Sequence, residues 1–249
     1  MEWNHILLVI GVGIIAGFIN TLAGSGSLLT LPILMFLGLP ANVANGTNRI
    51  AIFFQSMVSV RNFKKHKIFT FKEGIKIGLP AVFGSVVGAK IALSFNENIM
   101  RNAIGLLLLL MIVLIILKPE KFIKKSASHE KKFGIVQILI FFAIGIYGGF
   151  IQAGVGLFLL AGLVLGCGFE LVKANAIKNF IVLLYTPFAL IIFLINGQVD
   201  YLMGIILTIG NVIGAYIASL LAIQKGAVFV RYFLIVALIA STIKMFGLF

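Results

Sequence analysis

Carboxylates are scarce in this chain. Its 249 residues include seven Asp and Glu against twenty Lys and Arg, and charged residues of both signs make up 11%, well under the roughly 25% of a soluble domain. The seven acids are Glu2, Glu73, Glu97, Glu120, Glu130, Glu170 and Asp200, and none falls in the middle of an apolar run. Cation carriers and proton relays place a carboxylate inside the membrane, so a cation substrate and carboxylate-based proton coupling are both disfavoured. A single cysteine, Cys167, excludes a disulfide framework and reads as a small packed residue. The three histidines, His5, His66 and His129, lie at segment ends or in loops, which leaves little for a metal site. No Ser-His-Asp set and no paired carboxylates occur within the apolar runs, so an enzyme is not expected, nor is a cofactor or metal.

What the chain has instead is apolar length. It is 61% hydrophobic with a mean hydropathy of +1.17, and ten apolar segments can be marked, at roughly 4–22, 26–39, 48–62, 75–95, 99–117, 134–152, 156–168, 178–196, 200–222 and 227–247. Most have the length of a membrane helix rather than of the alternating ten-residue strands of a barrel. The expected class is an all-α polytopic membrane protein with the lipid bilayer as its partner. The first run, His5 to Leu22, imitates a signal peptide but lacks a basic leader and continues into further segments, so it is expected to be retained. The segments at 26–39 and 156–168 are short: thirteen or fourteen residues cover only about 20 Å of a ~30 Å hydrocarbon core, as half-helices or re-entrant hairpins would.

The net charge of +13 invites a nucleic-acid reading that its distribution rejects. Stretches 61–76 and 118–132 hold twelve of the twenty Lys and Arg, and by the positive-inside rule they mark cytoplasmic loops.

One constant offset in residue number relates the two halves. It joins Gly24 to Gly154, Gly26 to Gly156, Gly38 to Gly168, Asn45 to Asn175, Gly74 to Gly204, Gly84 to Gly214 and Arg101 to Arg231. Each copy then holds about five segments. The basic stretch 61–76 is matched, at the same offset, by one without Lys or Arg that contains Asp200. An odd number of segments and this reversal of charge predict two inverted-topology repeats, 1–117 and 134–249, joined by a basic cytoplasmic linker at 118–133. The N-terminus is expected outside, with Trp3 in the interfacial belt. Inverted repeats built on discontinuous helices characterise secondary transporters.

The stretch "FINTLAGSGSLLTLP" (Phe18–Pro32) interrupts an apolar run with Asn20, Thr21, Gly24, Ser25, Gly26 and Ser27. A break there frees amide N–H groups that must find partners or line a watery cavity, and a helix starting near Ser25 aims its positive end at the break. The second copy carries Gln152, Gly154 and Gly156 in "GGFIQAGVGLFLL". Two such hairpins meeting near the midplane would hold a small anion; tight helix packing is the competing use of Gly-x-Gly. Further donors are Asn45, Thr47, Asn48 and Arg49 in one half and Asn175, Lys178 and Asn179 in the other. Arg49 and Lys178 read as anion-recruiting charges or as snorkelling interfacial ones. Gln55 and Gln152 read as ligands or as links between helices. Lys90 reads as snorkelling, Arg101 and Arg231 as interfacial anchors, and Pro32, Pro80 and Pro187 as kinks.

The run "AGFINTLAGSGSLLTLPILMFLGLPANVANGTNRIA" resembles the N-terminal hallmark of the sulfite exporter TauE/SafE family, also called the toluene-sulfonate uptake permease family, and "GLFLLAGLVLGCGFELVKANAIKN" is similar to its more degenerate second copy. The resemblance covers almost the whole chain. It implies a multi-pass carrier of sulfur-containing or organic anions such as sulfite, sulfonates or sulfoacetate, with fewer crossings than the ten segments marked. It carries over to Gly24, Gly26, Pro32, Gly46, Thr47 and Asn48. The second half departs from the pattern, with Ile177 and Lys178 in place of Thr-Asn, so that Lys178 can serve as a counter-charge.

The resulting expectation is an inner-membrane secondary transporter that exports small anions, most readily oxidised sulfur or organosulfur anions, by alternating access. A channel-like anion pore and a non-transporting scaffold are the rivals. A homo-oligomer is compatible with the sequence, and no nucleic-acid partner is expected.

Overall fold

The computed structural model describes residues 3–116 and 133–245, with side chains described up to 110 and from 133 to 226. The described residues form helices and turns with no strand among them. In order they are α1 (Trp3–Leu22), α2 (Ser27–Phe36), α3 (Ala41–Lys65), α4 (Phe71–Ser94), α5 (Glu97–Ile116), α6 (Ile135–Phe150), α7 (Val155–Ala161, widening into a π-helical turn at Gly162–Gly166), α8 (Leu171–Ile195) and α9 (Tyr201–Met245). The predicted linker 118–133 and the side chain of Arg231 lie essentially outside this description.

All ten apolar segments correspond to helical structure. The last two are helices joined across a kink at Gly226, whose φ of 67° and ψ of −163° are not helical. The largest boundary differences concern the third and eighth segments. The helices begin at Ala41 and Leu171 rather than near 48 and 178, because polar residues that look like a loop on a hydropathy scale are here buried helix. Likewise, most of the basic stretch 61–76 is helix: α3 continues to Lys65, α4 starts at Phe71 with its first turn capped by Thr70, and only 66–70 form the turn.

Among the described residues, four stretches are long and apolar enough to cross a membrane: Trp3–Leu22, Phe71–Ser94, Leu171–Ile195 and Tyr201–Gly226. α3 has the length, 25 residues or about 37 Å, but not the composition. It buries Asn42, Asn45, Thr47, Asn48, Arg49, Gln55, Ser56, Ser59 and Asn62. Its neighbours complete the pattern, presenting Leu7, Ile15, Phe83, Leu139, Ile191 and Ile205 outward. Polar groups inside and large apolar side chains outside is the arrangement a bilayer demands, since lipid offers the backbone and the amides no hydrogen bonds.

The offset between the halves reappears in the helices. α3 and α8 are each 25 residues long and start at Ala41 and Leu171, while α4 and α9 start at Phe71 and Tyr201. Positive φ recurs at Gly24 and Gly154, Gly38 and Gly168, and Lys67 and Gly197. The halves interlock: α1 packs along α9 and α4 along α6. Both seams are glycine-lined, with Gly17 against the Asn211 backbone and Gly214 against Ile14 in one, and Gly84 against Phe142 and Gly149 against Ser85 in the other. Small residues let membrane helices approach this closely.

α3 and α8 cross between the seams. Gly46, near the start of α3, lies against Phe193 and Gln198 at the end of α8. Phe180, near the start of α8, stacks on Phe71 at 5.2 Å and meets Phe69 at 5.3 Å, just beyond the end of α3. The two helices therefore run antiparallel.

Candidate functional site

The break after α1 turns at Gly24, with φ 77°, and the break before α7 turns at Gly154, with φ 74°. Both angles lie in the left-handed region where a Cβ is strained. The two breaks touch. The Gly156 N–H donates to the Gly24 carbonyl at 3.2 Å, and a Cβ built on either glycine would run into the backbone of the other. Gly26 lies as tightly against the Ala16 carbonyl, and its N–H donates to Asn20 Oδ1 at 3.0 Å. One of the amides expected to be free is thus already capped from within the break.

A cation from the opposite half holds the carbonyl end of each broken helix. Lys178 Nζ, on α8, donates to the carbonyls of Asn20 at 2.9 Å and Thr21 at 2.7 Å at the end of α1. Arg49, on α3, donates to the carbonyls of Gly148 at 3.0 Å and Gly149 at 2.6 Å at the end of α6, reaches Gln152 Oε1 at 3.3 Å and lies over the Phe193 ring at 4.7 Å. Carbonyl ends of helices carry partial negative charge and favour cations. Arg49 is 0% and Lys178 1% exposed, so the snorkelling reading of both is corrected: each sits well inside its helix. Among the described residues no Asp or Glu is buried, and the acceptors of the two cations are carbonyl and amide oxygens.

The other expected donors divide between scaffold and cavity. Asn48 clamps α2 to α3, accepting from Thr30 Oγ1 at 2.7 Å and donating to Ser27 Oγ at 3.0 Å. Thr47 Oγ1 accepts from the Asp200 N–H at 2.8 Å at the head of α9. Asn45 donates to the Phe150 carbonyl at 2.7 Å, and the Thr21 hydroxyl pairs with Ser59 at 3.1 Å. Asn179 donates to the Thr21 carbonyl at 3.1 Å and to that of Asn175 at 2.9 Å, while Asn175 Nδ2 and Arg49 Nε are buried without a partner. Ser25 is buried at the break. Lys90 is exposed, as is Arg101, which pairs with Glu97 at 3.3 Å.

Asn20, Gly24, Gln152, Gly156, Lys178 and Asn179 come together around a cavity of about 10 Å³ at the touching breaks, about the volume one water needs. Gln55 and Ser56 of α3 complete its polar wall, with Ile52, Val155 and Val182 as the apolar part. Gln55 also accepts from Asn211 at 3.1 Å, and Gln152 donates to the Tyr185 hydroxyl at 2.8 Å. Both glutamines therefore link helices and face the cavity. Ser56 escapes sequence reasoning: one of two serines in "IFFQSMVSV", it carries no signal beyond its place about two turns after Arg49. A larger groove of about 420 Å³ lies elsewhere, between Pro32, Met35 and Phe36 of α2 and Arg101, Ile104 and Leu108 of α5. It lacks convergent polar groups.

A family model described as Sulfite exporter TauE/SafE matches residues 9–245. The chain belongs to the sulfite exporter TauE/SafE family. Among curated relatives, "Probable membrane transporter protein ORF9" of Sinorhizobium sp is 28% identical over 242 residues, covering 97% of this chain and 92% of its own length. "Probable membrane transporter protein YfcA" of Escherichia coli strain K12 is 27% identical over 237 residues, covering 94% and 87%. "Probable membrane transporter protein YunE" of Bacillus subtilis strain 168 is 25% identical over 240 residues, covering 87% and 88%. No solved structure matches. The chain is a multi-pass membrane transporter and not an enzyme, with paired helix breaks at its centre.

Proposed function

We propose that this transporter is a secondary carrier of small anions, with oxidised sulfur or organosulfur anions such as sulfite or sulfonates as its substrate class. The observation that carries the proposal is the burial of Lys178 and Arg49 beside touching helix breaks, with no acid buried among the described residues. Uncompensated positive charge in a low-dielectric interior is costly, and an arriving anion supplies the missing counter-charge. The family's description names sulfite, and the relatives' names are those of transporters, which agrees with this reading. For an uncoupled monovalent anion, an interior about 100 mV negative drives exit by about 2.3 kcal/mol, so the direction proposed is export.

The mechanism proposed is alternating access, with two inverted repeats rocking around the contact of Gly24 with Gly156. Antiparallel α3 and α8, whose starts at Ala41 and Leu171 keep the offset of the repeat, support the inversion. The narrow cavity favours a carrier in a closed state over an open pore. The proposed setting is the inner (plasma) membrane, with the N-terminus outside and 61–76 and 118–133 cytoplasmic.

Counterflow in proteoliposomes loaded with sulfite, thiosulfate, sulfonates and small carboxylates tests substrate and mode together. Saturable exchange of sulfite or a sulfonate is expected. Flux linear in concentration points to a pore, and no flux with any anion points to a scaffold. Topology is checked by thiols introduced near Ser128 and Gln198 in a Cys167→Ser background. They are expected to label from opposite faces, and labelling from one face refutes the inversion.

A further inference from the structure

Hydroxyls inside membrane helices normally satisfy themselves on their own backbone. Ser59 donates to the Gln55 carbonyl at 3.0 Å, Ser85 to Val82 at 2.7 Å and Thr208 to Gly204 at 2.6 Å. Ser56 does not. It is 0% exposed, its Oγ has no hydrogen-bond partner, and it borders the cavity at the breaks. Its counterpart in the second half, at the offset of the repeat, is Thr186, which donates to the Val182 carbonyl at 2.6 Å. The same place in the repeat therefore holds one satisfied hydroxyl and one without a partner, and the unsatisfied one shares the cavity lining with Lys178.

A buried polar atom without a partner carries a free-energy penalty that a ligand can remove. We infer that Ser56 is a ligand of the transported anion, its hydroxyl donating to an anion oxygen while Lys178 supplies the charge, so that recognition is one-sided despite the repeat. The inference rests on the small-anion reading above. A hydroxyl donor and an ammonium bordering one small cavity suit an oxyanion, whose oxygens accept from both at once. The cavity as it stands is too small for such an ion, so the site must widen as the repeats move, with Ser56 carried on α3 and Lys178 on α8.

The test uses the full-length protein in proteoliposomes with sulfite as probe. Wild-type protein is expected to show saturable counterflow. Ser56→Ala should raise KM by about tenfold, the size of effect produced by losing one hydrogen bond to a charged group, with little change in maximal rate, and Ser56→Thr should recover much of the loss. Thr186→Val should leave KM unchanged. An unaltered KM in Ser56→Ala would mean that the hydroxyl serves only a trapped water, and equal effects in Ser56→Ala and Thr186→Val would make both structural; either result overturns the inference. Should Ser56→Ala fail to insert, Ser56→Cys in a Cys167→Ser background gives the same decision. Methanesulfonate, an anion of the proposed class that does not react with thiosulfonates or disulfides, is expected to shield the thiol at position 56 from a methanethiosulfonate reagent, and unshielded labelling overturns the inference. Absence of sulfite flux in the wild type would instead remove the sulfur-anion reading on which the inference stands.

Discussion

Arg49 and Lys178 stand one residue apart in the repeat, in opposite halves, and each ties down the carbonyl end of the other half's broken helix. Their commitments differ. The guanidinium spreads over Gly148, Gly149 and Gln152 and stacks on Phe193, and it does not line the cavity. The ammonium shares both of its carbonyls with other donors: Asn20 O also accepts from the Gly24 N–H at 2.8 Å, and Thr21 O also accepts from Asn179. It borders the cavity and, with three donors, has one beyond those two carbonyls. One cation holds a structure together. The other shares its acceptors with further donors, and its charge is the one we propose for the anion.

Stability and transport should therefore separate. Arg49→Met strips a charged donor from buried carbonyls, and about 4 kcal/mol of destabilisation is expected, seen as loss of monodisperse protein and a collapse of the thermal transition in detergent. Gly156→Ala forces a methyl into the Gly24 backbone, at about 3 kcal/mol. The protein should survive this with its transition lowered and its counterflow slowed, because the breaks can no longer touch. Lys178→Met is the smallest structural change, about 1 kcal/mol, since the Asn20 and Thr21 carbonyls keep the Gly24 N–H and Asn179 as donors, yet sulfite counterflow should vanish. If Lys178→Met unfolds the protein while Arg49→Met transports normally, the assignment of roles is reversed.

Much of this architecture is readable from the chain. Segment count and approximate position follow from hydropathy, because lipid penalises exposed polar backbone and leaves helices as the solution for apolar runs of this length. The glycine offset locates both breaks, since left-handed turns and backbone contacts tolerate few other residues. The site is less legible. Asn48, Thr47 and Asn45 look like ligands by residue type, but their hydrogen-bonding capacity goes largely to α2, α9 and α6. Gln55 and Gln152 serve helix contacts and cavity at once. Ser56, by contrast, looks like any membrane serine until the structure shows that its buried Oγ makes no hydrogen bond.

Composition and periodicity suffice for the class: few acids, two basic clusters, ten apolar runs and a doubled glycine pattern follow from chemistry that acts locally, residue by residue, against lipid. Which polar groups are spent and which are left over is a different kind of fact. A hydrogen bond is a claim on a particular acceptor, and Arg49 finds its acceptors in the other half of the chain, at Gly148 and Gly149. Such claims come into being when α3 and α8 cross between the two glycine seams, and no spacing along the chain announces them.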